Sequence, residues 1–200
     1  MPYSTVVTFT AGATLPAADL NTNFSNLDYL RYMVNAQFIL LGSSMFPRIT
    51  TPSTYSGTVE MTTNPRDYQF MDFADGSALV AQINFPMPAD YNGGTVTAKF
   101  YWTANSASAN SVVWFIQGVA IGDNETLDTT SGTAQSVTDA HNATAYKLNI
   151  SAATSAITIS GTPAAGELVN WQIYRDPANA SDTLAATARL LAVVISYTRS

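Results

Sequence analysis

The chain has 200 residues, of which 46% are hydrophobic and only 11% are charged, and its formal net charge is −6. Globular domains usually have about a quarter of their residues charged, so this surface must consist mainly of uncharged polar groups. Its basic residues are scattered, which argues against a nucleic-acid partner, and the lack of cysteine excludes disulfides, thiolate catalysis and cysteine-ligated metals. Low charge favours a protein whose surface is covered by copies of itself or by neighbours, over an unusually neutral monomer.

The start of the chain predicts neither secretion nor membrane insertion. Residues 1–8 have no basic region and no apolar core, so we expect no signal peptide. The apolar run at residues 38–41 is far shorter than a membrane span.

Residues 14 to about 36 contain the clearest helical pattern. Thr14 is a suitable N-cap, and Pro16 falls in the first turn, where its missing N–H is harmless. The apolar positions that follow recur at spacings of four, three and seven residues: Leu20, Phe24, Leu27 and Val34. The pattern predicts a helix over about residues 15–36. Its apolar stripe would pack on its own domain or, as we favour because it precedes that domain, on symmetry mates or a larger assembly.

Residues 42–65 resemble a linker, because Pro47, Pro52 and Pro65 interrupt a stretch rich in Gly, Ser and Thr. Residues 58–62 are a candidate first strand. We therefore expect an N-terminal attachment segment over residues 1–48 and one β domain over residues 49–200.

The remainder of the chain has the pattern of short strands separated by turns. The candidate strands are residues 68–73, 78–85, 95–102, 112–120, 133–137, 145–150, 156–159, 167–175 and 190–197. Several alternate with period two, and the last is apolar on both faces, as in a central strand. Residues 181–189 are ambiguous and could form one or two helical turns. The pattern predicts a mainly β fold, an antiparallel jelly-roll-like β-sandwich with Trp102, Trp114 and Trp171 in its core.

Residues with catalytic or metal-binding chemistry are few. His141 lies in a polar stretch near Asp139, without a nucleophile motif or a second ligand, and we expect it to be a solvated loop residue. Asp123, Glu125 and Asp128 are a weak calcium candidate without the EF-hand order, and turn formation explains them better. We expect no enzymatic activity and no cofactor; a depolymerase with carboxylates shared between subunits is the remaining enzymatic alternative.

Two segments resemble sequences of bacteriophage virion proteins. Residues 9–24 read FTAGATLPAADLNTNF, a pattern found near the start of phage tail fibres and other appendages. The C-terminal half resembles a widespread phage β-sandwich in residues 123–128 and 164–169, in Tyr174-Arg175-Asp176, and in residues 182–191 with a final strand to Tyr197. Glu167 stands where that group usually has Asp.

The resemblance implies a homotrimeric virion component, which is a tail fibre, a head fibre or a capsid cement protein. Its N-terminal segment, with the stripe Leu20, Phe24, Leu27 and Val34, would form trimer or attachment contacts with capsid or tail proteins, while the sandwich projects outward. The alternative is a carbohydrate-binding module for host surface glycans. Loop tyrosines such as Tyr55 and Tyr91 would then stack on sugar rings.

Overall fold

The computed structural model of the protein describes residues 36–200. This part of the chain forms two antiparallel sheets and one short 3₁₀ turn, Gly42–Ser44. In chain order the strands are β1 (Ala36–Leu41), β2 (Phe46–Pro47), β3 (Thr54–Glu60), β4 (Asp67–Phe73), β5 (Leu79–Pro86), β6 (Thr97–Ala104), β7 (Ser111–Ile121), β8 (Gln135–Ala140), β9 (Asn149–Ile150), β10 (Leu168–Arg175) and β11 (Ala188–Tyr197). The predicted β-sandwich is confirmed.

The first sheet has the order β3-β4-β11-β6-β9, and the second has the order β2-β5-β10-β7-β8. β11 is the central strand of the first sheet, as its apolar sequence predicts. One of its edges pairs with β6, while the other pairs with β4 at residues 188–190 and with β1 at residues 192–197. An irregularity between Leu190 and Ala192 lies at the point where these two partners meet.

The inward positions of the two sheets form one hydrophobic core. Trp102, Trp114 and Trp171 are fully buried, as predicted. Trp114 lies at the centre of an aromatic cluster, with its ring 5.2 Å from that of Phe73 and 5.4 Å from that of Phe100. Such ring pairs add to the free energy gained by burial, so the cluster stabilises the contact between the sheets.

The chain enters the sandwich earlier than the expected boundary between residues 48 and 49. β1 pairs with β11 over six residues, and Leu40 is fully buried in the core. The predicted linker also contains β2, which pairs with β5, and the whole of β3. Residues 1–35, with Leu20, Phe24, Leu27 and Val34, lie outside the described residues, so the N-terminal helix stays a prediction.

The helical turns considered for residues 181–189 are not formed. Residues 181–187 are a loop organised by Arg175 and Asp182, whose side chains are almost completely buried, and β11 begins at Ala188. The guanidinium Nε and Nη2 donate to the two carboxylate oxygens of Asp182 at 2.9 and 2.7 Å. Further guanidinium bonds reach the backbone carbonyls of Phe73, Leu184 and Ala186. The loop carbonyls of Leu184 and Ala186 therefore accept hydrogen bonds from the Arg175 side chain, and the loop does not form the backbone hydrogen bonds of a helix.

Among residues 36–200, no helix has the length and hydropathy needed to cross a membrane.

The substitution Asp182→Asn tests the buried ion pair. It leaves the Arg175 guanidinium charged and without its carboxylate in the protein interior, so we expect the free energy of unfolding to fall by about 3–5 kcal/mol. Urea denaturation at neutral pH measures the change. The matched control is Asp176→Asn in the same loop, where the carboxylate accepts a bond from the Ala178 N–H at the surface. We expect the control to change stability by about 0.5 kcal/mol or less. Equal effects of the two substitutions would contradict the structural role of the pair.

A second prediction concerns the tyrosines at the end of the sandwich where β1 begins. Burial raises the pKa of Tyr91 and of Tyr197, and the hydrogen bond from the Tyr197 hydroxyl to Asp90 raises the pKa of Tyr197 further. In the unfolded chain these phenols ionise near their ordinary value of 10.0. Their contribution to stability is therefore complete below that pH and is lost as the pH rises through the higher folded values.

We expect the free energy of unfolding to decline above pH 10.0, the ordinary pKa of tyrosine, and we expect the Tyr197→Phe variant to show a shallower decline. Denaturation measured at a series of alkaline pH values tests this. The prediction is wrong if the wild type and the variant decline with the same slope.

Candidate ligand-binding groove

Amide side chains line the outer face of the second sheet. Gln82, Gln172 and Gln117 are direct cross-strand partners on β5, β10 and β7. Gln117 Nε2 donates to Gln172 Oε1 at 3.0 Å, and two residues along the sheet Asn170 Nδ2 donates to Asn84 Oδ1 at 2.8 Å. An amide has two donors and two acceptor positions, so each pair retains hydrogen-bonding capacity that faces outward.

Two loops turn part of this amide row into the floor of a groove of about 410 Å³. Residues 48–50 form one wall, and residues 127–131 form the other, while Gln82, Asn170 and Gln172 line the floor. The rims are aliphatic, because Ile49 is 97% exposed and Leu127 is 77% exposed. The groove thus combines a polar floor with two apolar edges.

The backbone of neighbouring segments fixes both walls. The Arg48 N–H donates to the Val80 carbonyl at 3.0 Å, which holds the first wall against β5. The second wall is held by Ser160, whose hydroxyl donates to the Thr130 carbonyl at 2.6 Å, and by the Gly132 N–H, which donates to Gly118 O at 3.0 Å. A Cβ at Gly132 would lie 2.3 Å from the Thr158 carbonyl oxygen, so this close approach requires glycine.

A stacked aromatic pair lies on the same face of the sheet. The rings of Phe115 and Tyr174, which are cross-strand partners on β7 and β10, are 4.8 Å apart and nearly parallel. Both side chains are half-buried. Burial raises the pKa of the Tyr174 phenol, and the nearby charge of Asp176 raises it further, so the hydroxyl stays protonated at neutral pH.

The charged groups around the groove are mainly acidic. Arg48 and Asp128 line opposite walls, and the surface beyond Leu127 presents Asp123, Glu125 and Glu167. This excess of carboxylates makes the local potential negative, which opposes anionic ligands and tolerates neutral ones.

The predicted acidic cluster is split by the structure. Glu125 Oε2 accepts a hydrogen bond from the Gly122 N–H at 2.8 Å and closes a turn, while Asp123 accepts from the Asn124 side chain. Asp128 alone of the three predicted residues lines the groove. Within residues 36–200, no group of three or more histidine, aspartate or glutamate side chains is placed to hold a metal ion, so the geometry gives the calcium candidate no support.

His141 is buried, and the prediction that it is a solvated loop residue is wrong. Its side chain is only 2% exposed, and Nδ1 lies 2.8 Å from the Ser108 carbonyl oxygen. The ring also lies 5.7 Å from that of Trp102. A loop distant in sequence covers the histidine, which no local pattern indicates.

Of the two tyrosines expected in loops, one is buried in the fold and the other lies in a strand. Tyr91 is 3% exposed, and its hydroxyl donates to the Gly94 carbonyl, so its ring faces are used inside the fold. Tyr55 is partly exposed but lies in β3 of the first sheet, away from the groove. The predicted attachment residues Leu20, Phe24, Leu27 and Val34 precede the described part of the chain.

The sequence pattern alone did not predict the groove. A signal existed, because Gln82, Asn84, Asn170 and Gln172 occupy the polar positions of two alternating strands. Recognising that they meet requires the pairing of β5 with β10, which the sequence pattern does not provide.

The chain matches no known family model and no curated protein. Among solved structures, the xylan-binding module CBM15 is similar at 13% identity and a TM-score of 0.43, over 83% of this chain and 99% of the module. The CBM35 module of Cellvibrio japonicus is similar at 7% identity and a TM-score of 0.42, over 82% of this chain and 99% of the module.

A Paenibacillus cycloisomaltooligosaccharide glucanotransferase aligns at 11% identity with a TM-score of 0.43, over 81% of this chain but 18% of the enzyme. An Arthrobacter globiformis isomalto-dextranase is likewise matched over 23% of its length, so the chain spans less than a quarter of either enzyme. At these identities and scores the likeness concerns the β-sandwich fold alone.

Proposed function

We propose that the protein is a non-enzymatic glycan-binding β-sandwich whose ligand lies in the groove of the second sheet. The observation that carries the proposal is the row of amides Gln82, Asn170 and Gln172 on the groove floor between two aliphatic rims, with Gln117 and Asn84 bonded to two of them from outside the groove. Sugar hydroxyls both donate and accept hydrogen bonds, and an amide side chain can bond to them in both ways because it has an NH₂ donor and a carbonyl acceptor. The apolar faces of pyranose rings suit contact with Ile49 and Leu127.

The charge around the groove selects among glycans. Because the carboxylates outnumber the single nearby Arg48, we expect a neutral oligosaccharide to bind in preference to a uronic acid or sialic acid polymer. The row runs across the strands, with amides on neighbouring strands about 4.8 Å apart, so it favours an extended ligand crossing the strands.

The same residues argue against hydrolysis. Cleavage of a glycosidic bond normally needs two carboxyl groups that face each other across the sugar. Of the described residues that line the groove, Asp128 alone supplies a carboxylate. The groove therefore fits binding and not turnover of a glycan.

Gln172→Ala tests the site. Gln172 lies at the middle of the row, and losing its hydrogen bonds to the ligand is expected to weaken binding about tenfold, which corresponds to about 1.4 kcal/mol. Isothermal titration with neutral hexasaccharides built from glucose, galactose or N-acetylglucosamine measures the affinity.

The matched control is Gln37→Ala, which removes an amide from the first sheet whose Nε2 donates to the Ser196 hydroxyl at 3.1 Å. We expect the affinity of the Gln37→Ala variant for these hexasaccharides to equal that of the wild type. The proposal fails if the wild type binds none of these probes at millimolar concentration, or if both variants lose affinity equally.

A second candidate function is that of a phage particle component, such as a fibre or a cement protein, that displays this sandwich as a homotrimer. Support comes from the resemblance of residues 9–24 and from the low charged fraction of the chain. In this case glycan binding would serve host recognition, and the two functions would belong to one protein.

Deletion of residues 1–35 tests this second function. The cut must precede Ala36, because β1 belongs to the sandwich. We expect the shortened protein to be lost from purified phage particles, as measured by mass spectrometry of their proteins, while Gln172→Ala is incorporated normally. Normal incorporation of the shortened protein would argue against attachment through this segment.

A further inference from the structure

A cavity of about 200 Å³ opens on the outer face of the first sheet, on the other side of the sandwich from the groove. Its lining is mostly apolar and consists chiefly of Met61, Tyr68, Phe70, Tyr146, Leu148 and Leu191. The hydroxyl of Thr103, which also lines the cavity, already donates to the Lys147 carbonyl at 2.6 Å. Engineered apolar cavities of about 150 Å³ accept benzene, so this cavity has room for one aromatic ring.

Aromatic rings form much of the cavity wall. Tyr68 and Phe70 stack with their ring centres 6.2 Å apart on β4, and the Tyr146 ring belongs to the loop before β9. The guanidinium carbon of Arg189 lies 5.7 Å from the Phe70 ring centre and 5.6 Å from that of Tyr146. Aromatic rings attract one another in offset and edge-on arrangements, and a thioether such as that of Met61 also contacts rings favourably. The wall therefore favours an aromatic ring over an alkyl chain.

Tyr146 is held in an unusual backbone conformation at this wall. Its φ of 60° lies in the left-handed region, which residues other than glycine rarely adopt. Two contacts keep it there: its N–H donates to the Ala104 carbonyl at 2.9 Å, and its hydroxyl accepts a bond from Arg189 Nη1 at 3.2 Å. Strained residues of this kind cluster at ligand sites, where the surrounding structure fixes a side chain in advance of binding. The wall of the cavity is thus preformed.

The cavity adjoins a wider recess that carries a positive charge. The recess has a volume of about 580 Å³ and is lined mainly by the turn between β3 and β4, including residues 61–64 and Arg66. Among the described residues that line the cavity or the recess, Arg66 alone is charged. The neighbouring carboxylates, Glu60 and Asp67, are cross-strand partners, and the alternation of the strand places them on the opposite face from Tyr68. No carboxylate of this turn therefore lies on the side of the recess.

The rest of this outer face is also net positive. At the outward positions of β1, β4, β6, β9 and β11, the charged residues are Lys99, Asp72 and Arg189, and Lys147 lies in the loop beside them. Arg189 Nε is 3.6 Å from the Asp72 carboxylate, so these two largely neutralise each other and the lysines remain in excess. The chain as a whole carries −6. This face therefore attracts an anionic group that the rest of the molecule repels.

We propose that the cavity binds a small aromatic carboxylate. The ring lies in the cavity, and the carboxylate lies in the recess, where the Arg66 guanidinium donates to it. An arginine can bind a carboxylate through two parallel hydrogen bonds, which are stronger than those between neutral groups. The cavity and the recess share Met61, Tyr68 and Tyr146 in their linings, so one ligand can occupy both. This site is on the opposite sheet from the groove and does not depend on glycan binding.

Isothermal titration of the full chain with three matched compounds tests the ligand class. We expect phenylpropionate to bind at millimolar concentration. Phenylpropanol lacks the charge and is expected to bind about tenfold more weakly, while cyclohexylpropionate lacks the aromatic ring and is expected to bind about threefold more weakly. The proposal is overturned if phenylpropionate does not bind, or if either of the other two compounds binds as tightly.

Two variants test the place of binding. We expect Arg66→Gln to weaken phenylpropionate about tenfold and to leave phenylpropanol unchanged, because only the first compound has a carboxylate for the guanidinium. Leu148→Trp fills the cavity from a half-exposed position, and we expect it to weaken both compounds at least about tenfold. The matched controls on the other sheet are Arg48→Gln and Leu127→Trp, which are expected to bind both compounds like the wild type.

Circular dichroism checks that each variant is folded, and Leu148→Phe replaces Leu148→Trp if the latter unfolds. Unchanged binding of phenylpropionate by Arg66→Gln or by the cavity-filling variant would overturn the proposal. Equal losses in the controls would overturn it as well, since they would show that binding is not confined to this cavity.

Discussion

The ion pair between Arg175 and Asp182 links the loop before β11 to both sheets of the sandwich. Arg175 ends β10 in the second sheet, and its guanidinium also donates to the carbonyl of Phe73, the last residue of β4 in the first sheet. Asp182 accepts a further bond from the Val113 N–H of β7 at 3.0 Å. A buried charge pair contributes little net stability by itself, but it tolerates few geometries, so it fixes how the loop before β11 crosses between the sheets.

The sequence predicted most of the second half of the sandwich because period-two alternation is a local property. Strands such as β10 and β11 follow directly from it. Burial of His141 was not predictable in this way, since it depends on the carbonyl of Ser108, a residue far away in sequence. β1 was missed for a related reason: its apolar residues pair with the other end of the chain, and no turn signal marks the strand. The candidate groove shares this limit, because Gln82 and Gln172 become neighbours only through strand register.

The two outer faces of the sandwich differ in composition although both arise from the same alternation. On the second sheet the outward positions of β5 and β10 are amides, which stay hydrated and bond to one another. On the first sheet the corresponding positions of β1, β9 and β11 are largely aliphatic, and the exposure of these side chains to water is unfavourable. A single domain thus presents one polar outer face and one largely apolar outer face. The outward strand positions of both sheets carry few charged residues, in keeping with the 11% charged fraction of the chain.

The position of β11 in the chain has a consequence for biosynthesis. β11 is the centre of the first sheet, yet it is the last strand of the described chain, and its partner β1 was synthesised about 150 residues earlier. Until residues 188–197 leave the ribosome, β1, β4 and β6 have no strand to join them, and their apolar sides remain without a core. Pairings of such high contact order form slowly, so the nascent chain passes through a long interval with exposed strand edges. The first sheet can therefore be completed only after residues 188–197 are available, and until then β1 stays without its partner strand.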